Sequence, residues 1–117
     1  MPIVKVWCLP DGQTEGDLQS LYWKLVHAVL VVNELGLRDD RHDVTFLFPT
    51  DRMKFGLGEE IIVEIGGLYE KTERTKEVQD KLAAAVGKVI KETYPEAKVK
   101  VFVSTFNPTT SGLWQSE

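Results

Sequence analysis

Cysteine is almost absent from this sequence. A single thiol, Cys8, excludes an intramolecular disulfide framework and a cysteine-rich zinc site. Histidine is nearly as scarce. His27 falls inside a helical pattern between Val26 and Ala28, and His42 sits in a charged run from Asp39 to Asp43. His27 has no ligand partner at metal-binding spacing and His42 belongs to a charged loop, so no metal and no cofactor is expected. Positive charge is not in excess: 14 Lys and Arg face 18 Asp and Glu, for a net charge of −4. That balance disfavours nucleic acid and anionic membrane as partners. The longest apolar run, Ala28-Val29-Leu30-Val31-Val32, is far too short to span a bilayer. No basic segment followed by an apolar one opens the sequence, so a secretory signal is not read and the cytoplasm is the expected location.

What remains is an ordinary globular composition, 43% hydrophobic and 27% charged, over 117 residues. This length suits one domain, residues 1–117. Residues 2–9 are β-branched and aromatic and predict a strand closed by Pro10-Asp11-Gly12. Leu18, Leu21, Tyr22, Leu25, Val29 and Val32 recur at helical steps. Thr14 or Asp17 is the expected cap of this first helix and Gly36 its expected end. Asp43–Phe48 predicts a second strand, and residues 50–59 a connector. Glu60–Ile65 predicts a third strand, stopped by Gly66-Gly67. A second helix is expected from about Thr75 to Tyr94, with Pro95 as its exit, and a fourth strand over Lys98–Ser104. The expected fold class is therefore α+β, in two layers. Two tandem β-α-β units (1–49 and 60–104) would form a four-stranded mixed sheet with both helices on one face, and 105–117 a carboxy-terminal tail.

Strand alternation describes the other face. Val4, Val6, Val63, Ile65, Val99, Val101 and Val103 share the helix-bearing side. Ile3, Lys5, Trp7, Ile62, Glu64, Lys98, Lys100 and Phe102 share the opposite one. Aromatics among paired charges there point to another subunit or a cavity rather than to plain solvent.

Pro2 carries separate chemistry. Removal of Met1 would leave it as the amino terminus, with a secondary amine in place of an amide. With Pro2, the doubled β-α-β order and two local motifs, the chain resembles the tautomerase superfamily, in its migration-inhibitory-factor and oxalocrotonate-tautomerase branches. The first motif is Pro49-Thr50-Asp51-Arg52-Met53-Lys54-Phe55-Gly56-Leu57-Gly58. The second is Phe106-Asn107-Pro108-Thr109-Thr110-Ser111-Gly112-Leu113-Trp114.

The resemblance implies a homotrimer whose sheets surround a channel, and catalysis by Pro2 as general base or acid. The implied partner is a small carboxylate or 2-oxo acid. The reaction would be isomerisation, or a related hydration or decarboxylation. Arg74 matches one carboxylate-holding arginine of the decarboxylase and cis-dehalogenase branches, and Lys71, or Glu70, stands near the other. From the residues alone, Arg74 can equally form a surface ion pair with Glu70 or Glu77. Lys100 can serve a carboxylate or pair with Glu64 across the sheet. Leu68, Phe102, Asn107 and Trp114 complete the expected substrate-binding set, although Trp114 can instead staple the tail to its own sheet.

The chain also departs from the superfamily's patterns. Gly12 and Gln13, and then Val44, stand where the oxalocrotonate branch has arginines. Leu37, with Arg38 beside it, stands near a lysine of the inhibitory-factor branch, while Lys100 and Phe102 replace its tyrosine and asparagine. Two other readings therefore stay open: a non-catalytic trimeric binding protein on this fold, and a ferredoxin-like regulatory domain with the second and third strands adjacent.

Overall fold

The computed structural model describes residues 2–10, 12–37, 44–49 and 60–116. The elements are β1 (Ile3–Trp7), α1 (Glu15–Leu30), a 3-10 turn (Asn33–Leu35), β2 (Thr45–Leu47), β3 (Glu60–Tyr69), α2 (Lys76–Thr93) and β4 (Lys98–Phe106). The connector 50–59 with its Phe55-Gly56 motif, Asp11, Arg38, His42 and the expected first residue of the second strand, Asp43, lie outside the described residues.

The strands form one sheet in the order β2-β1-β3-β4. β1 runs parallel to β2 and antiparallel to β3, and β3 runs parallel to β4. Each helix thus crosses over between two parallel strands, and the two units meet antiparallel at the centre. This is the expected small α+β fold. β2 and β3 lie on opposite sides of β1, which removes the ferredoxin-like alternative, where they would be neighbours.

A single core joins the layers. Val4, Val6, Ile61, Val63 and Ile65 from the sheet pack with Leu21, Leu25 and Val29 of α1 and with Leu82, Val86 and Ile90 of α2. Val4, Val6, Val63 and Ile65 are among the helix-facing residues that alternation selects. On the other face Ile3, Glu64, Lys100 and Phe102 are exposed.

Local chemistry fixes the element ends. Thr14 caps α1 in a reciprocal box: its hydroxyl accepts from the Asp17 amide at 3.1 Å, and its own amide donates to the Asp17 carboxylate at 3.0 Å. Gly36 does not end α1 as expected. The helix stops at Leu30, and Gly36, at φ 68°, closes the 3-10 turn that follows. Thr75 caps α2, accepting from the Val78 amide at 3.3 Å.

Gly66-Gly67 does not stop β3 either. The strand runs on to Tyr69 through a register shift between Ile65 and Leu68, with Gly67 at φ 71°. That is the backbone of a bulge, which glycine adopts without strain. β4 follows β3 past the bulge, so it too is longer than expected, reaching Phe106.

Candidate functional site

The pairing pattern brings several candidate residues to one end of the sheet. β1 is antiparallel to β3, so the start of β1 lies beside the end of β3. β3 and β4 are parallel, so their ends coincide. Pro2, Leu68, Lys71, Arg74 and Asn107 all belong to that end. Pro2 is buried, and alternation groups it with Val4 and Val6 on the helix-bearing side. Its carbonyl accepts from the Thr45 amide at 3.0 Å, fastening the head of β1 to β2. The next residue, Ile3, pairs with Gly66 at the start of the bulge.

The connection from β3 to α2 is organised by Arg74. Its guanidinium donates from Nη1 to the Tyr69 carbonyl at 2.7 Å and from Nη2 to the Leu35 carbonyl at 2.8 Å. Arg74 is only 8% exposed, and among the described residues it forms no ion pair with Glu70 or Glu77, donating to main-chain carbonyls instead. Its Nε is buried with no hydrogen-bond partner. Burial pulls the guanidinium below its ordinary pKa, and the nearby charge of Glu73 opposes that pull. The backbone of the same residue is held as well. Its amide donates to the Lys71 carbonyl at 2.9 Å, and its carbonyl accepts from the Gln79 side chain at 3.1 Å.

Beside this arginine opens a polar recess of about 470 Å³, lined by Glu70, Lys71, Thr72, Arg74, Gln79 and Thr105. Lys71 is exposed. The Glu70 amide, donating to the Phe106 carbonyl at 3.0 Å, closes the recess against the end of β4. Leu68 is fully buried in the core. Asn107 starts the tail: its carbonyl accepts from the Thr110 and Ser111 amides, and its side-chain oxygen from the Thr109 amide.

The other candidates lie elsewhere in the chain. Lys100 pairs opposite Ile62, level with Trp7 at the far end of β1. That places it roughly 16 Å from Pro2 along the strand direction. Its ammonium meets Glu60 at 3.2 Å rather than the expected Glu64. Glu64 is engaged by Trp7, whose indole N–H donates to it at 2.7 Å. Phe102, opposite Glu64 on the helix-free face, is 58% exposed. Trp114 is 86% exposed, so it does not staple the tail to its own sheet. The tail is instead tied by the Tyr69 hydroxyl, at 3.2 Å from the Gln115 side-chain oxygen.

One connection escaped the sequence reading. The Tyr94 hydroxyl donates to the Gln13 side-chain oxygen at 2.7 Å, tying the end of α2 to the β1–α1 loop. Burial first, and the charge of Asp17 second, raise the Tyr94 phenol above its ordinary pKa. A tyrosine before a proline and a glutamine in a turn are 81 residues apart. No local pattern pairs them.

No protein-family model matches the sequence, and no curated protein does. Solved structures do match it. F6 fused 4-OT, a wild-type asymmetric trimer, superposes with a TM-score of 0.72 at 21% identity, covering 95% of this chain and 91% of that one. Pt0534 inactivated by 2-oxo-3-pentynoate gives 0.66 at 19% identity, covering 96% and 89%. Malonate semialdehyde decarboxylase gives 0.61 at 13% identity, covering 98% and 92%. At these identities the likeness is one of fold, and the fold is that of tautomerase-superfamily structures. Among the described residues, no helix is long and apolar enough to cross a membrane.

Proposed function

We propose that the protein is a tautomerase-like enzyme that uses Pro2, freed by removal of Met1, as general base or acid on a small 2-oxo acid in the cytoplasm. One observation carries this reading. A fold shared with such structures over 95% of the chain sets Pro2 at the head of β1, at the sheet end where the polar recess opens. A neutral secondary amine there takes a proton from the carbon beside the substrate carbonyl. The C–H electrons pass to the carbonyl oxygen as the enolate forms, and the proton is returned at a different atom. A protonated Pro2 serves instead as the acid of a hydration or decarboxylation. Inactivation of Pt0534 by 2-oxo-3-pentynoate supports 2-oxo acids as the ligand class.

In this reading Lys71, at the recess, answers the substrate carboxylate. Lys100, Phe102 and Trp114 act across subunit boundaries in a homotrimer, the register setting Lys100 far from Pro2 of its own chain. Intact-mass measurement of the purified protein, followed by assay of phenylpyruvate and related enolisable oxo acids, tests the proposal. With Met1 absent, Pro2→Ala should reduce turnover at least about 100-fold; equal turnover in both proteins would sink it.

A non-catalytic trimeric binding protein is the second reading. It is favoured by the engagement of Gln13 with Tyr94 and of Lys100 with Glu60, at positions where tautomerase branches carry catalytic side chains. No turnover on any oxo acid, with Pro2 shown to be free, would favour it.

A further inference from the structure

Arg74 is the most constrained cation in the described structure. It is nearly buried, and among the described residues no carboxylate forms an ion pair with it. Both of its terminal nitrogens are committed to main-chain carbonyls from different units of the fold: Tyr69 ends β3, and Leu35 ends the 3-10 turn after α1. A planar fork can hold two acceptors at once, whereas one ammonium cannot reproduce that span. Nε–H is sealed from solvent and has no acceptor. Each terminal nitrogen keeps a second N–H, but with only 8% of the residue exposed the guanidinium shows little surface to an incoming carboxylate.

Lys71, three residues earlier, differs in every respect. It is exposed at the recess, and no ion pair occupies its ammonium among the described residues. Its carbonyl accepts from the Arg74 amide at 2.9 Å, so the turn that carries Lys71 is built on Arg74. The Gln79 side chain fixes the Arg74 carbonyl from the first turns of α2.

We infer that Arg74 is a positioning residue, bracing the β3–α2 connection against the first unit, and that it leaves Lys71 as the cation that meets the substrate carboxylate. This rests on the proposed carboxylate substrate, and it departs from the superfamily resemblance, which gives Arg74 the direct contact. Arg74 acts on the ligand through Lys71, so the two residues should be strongly coupled.

The test is a double-mutant cycle in the full chain, reading phenylpyruvate dissociation constants by NMR titration together with thermal unfolding. Lys71→Ala should weaken binding about tenfold at an unchanged melting temperature. Arg74→Lys keeps the charge, yet should lower the melting temperature, and in its background Lys71→Ala should cost less than about threefold. An undiminished tenfold cost there would show Arg74 to be merely structural and overturn the positioning role. Arg74→Lys altering affinity at an unchanged melting temperature, with Lys71→Ala neutral, would make Arg74 the direct ligand and overturn the proposal. If the wild-type protein binds no phenylpyruvate, the carboxylate reading and Lys71's part in it both fail. Hydrogen exchange then decides the brace alone. Arg74→Lys should speed exchange of the residue-74 and Glu70 amides at least tenfold, and unchanged rates would overturn the brace too.

Discussion

Pro2 lies ahead of the first residue of β1 and is joined to the sheet through its carbonyl, which takes the Thr45 amide. Proline has no amide N–H to give, so replacing it removes no backbone donor. Pro2→Ala should therefore change unfolding free energy by about 1 kcal/mol or less while removing the proposed activity. Denaturant unfolding beside the assay separates the two effects, and a large loss of stability would make the residue structural. Lys100 shows what alternation can and cannot reveal. It groups Lys100 with Glu64 on one face, but Glu60 and Glu64 both flank the partner position Ile62. The choice falls to Glu60 because Trp7 takes Glu64, a competition across three strands that spacing does not display. Arg74 was legible as a cation between β3 and α2. Its role was not, because its acceptors are main-chain carbonyls, one of them 39 residues away.

Elements were the best-read level. Strong periodicity located both helices and all four strands, and their order implied the parallel pairs. Their ends were read less well wherever tertiary pairing overrode a local stop signal. Two glycines usually break a strand, but β4 continues to pair with β3 beyond them, from Leu68 opposite Thr105 to Tyr69 opposite Phe106. The bulge depends on Gly67 at φ 71°. Gly67→Val should cost at least about 1–2 kcal/mol, because a β-branched residue is strained in that region. An unchanged melting temperature would show that the bulge can relax.

At the start of α1, Thr14→Ala should cost about 1 kcal/mol by removing one side of the capping box. The Asp17 carboxyl is held below its ordinary pKa by the Thr14 amide first and the Thr14 hydroxyl second. A lowered folded-state pKa gives stability that is present above the unfolded value and is lost as pH falls through the folded one. The melting temperatures of wild type and Asp17→Asn should therefore converge on acidification from neutral pH to below the ordinary carboxylate range. A constant gap would remove the box's electrostatic part.

The whole molecule presents two unlike faces, one covered by helices and one carrying exposed Ile3 and Phe102 beside Lys5, Glu64 and Lys100. Exposed Leu113 and Trp114 extend the apolar surface along the tail. Self-association through these surfaces should give a species near three times 13.2 kDa in sedimentation velocity. Trp114→Ala should shift its dissociation to at least about tenfold higher concentration; a wild-type monomer at high concentration would refute the trimer. The sheet's edges are equally unlike. β2 offers three residues, whereas β4 offers nine with few breaks in its alternation. A long, regular edge is a template for any extended chain that reaches it. In the proposed trimer, assembly would also be a form of colloidal protection, since a lone subunit would keep this edge open to other chains.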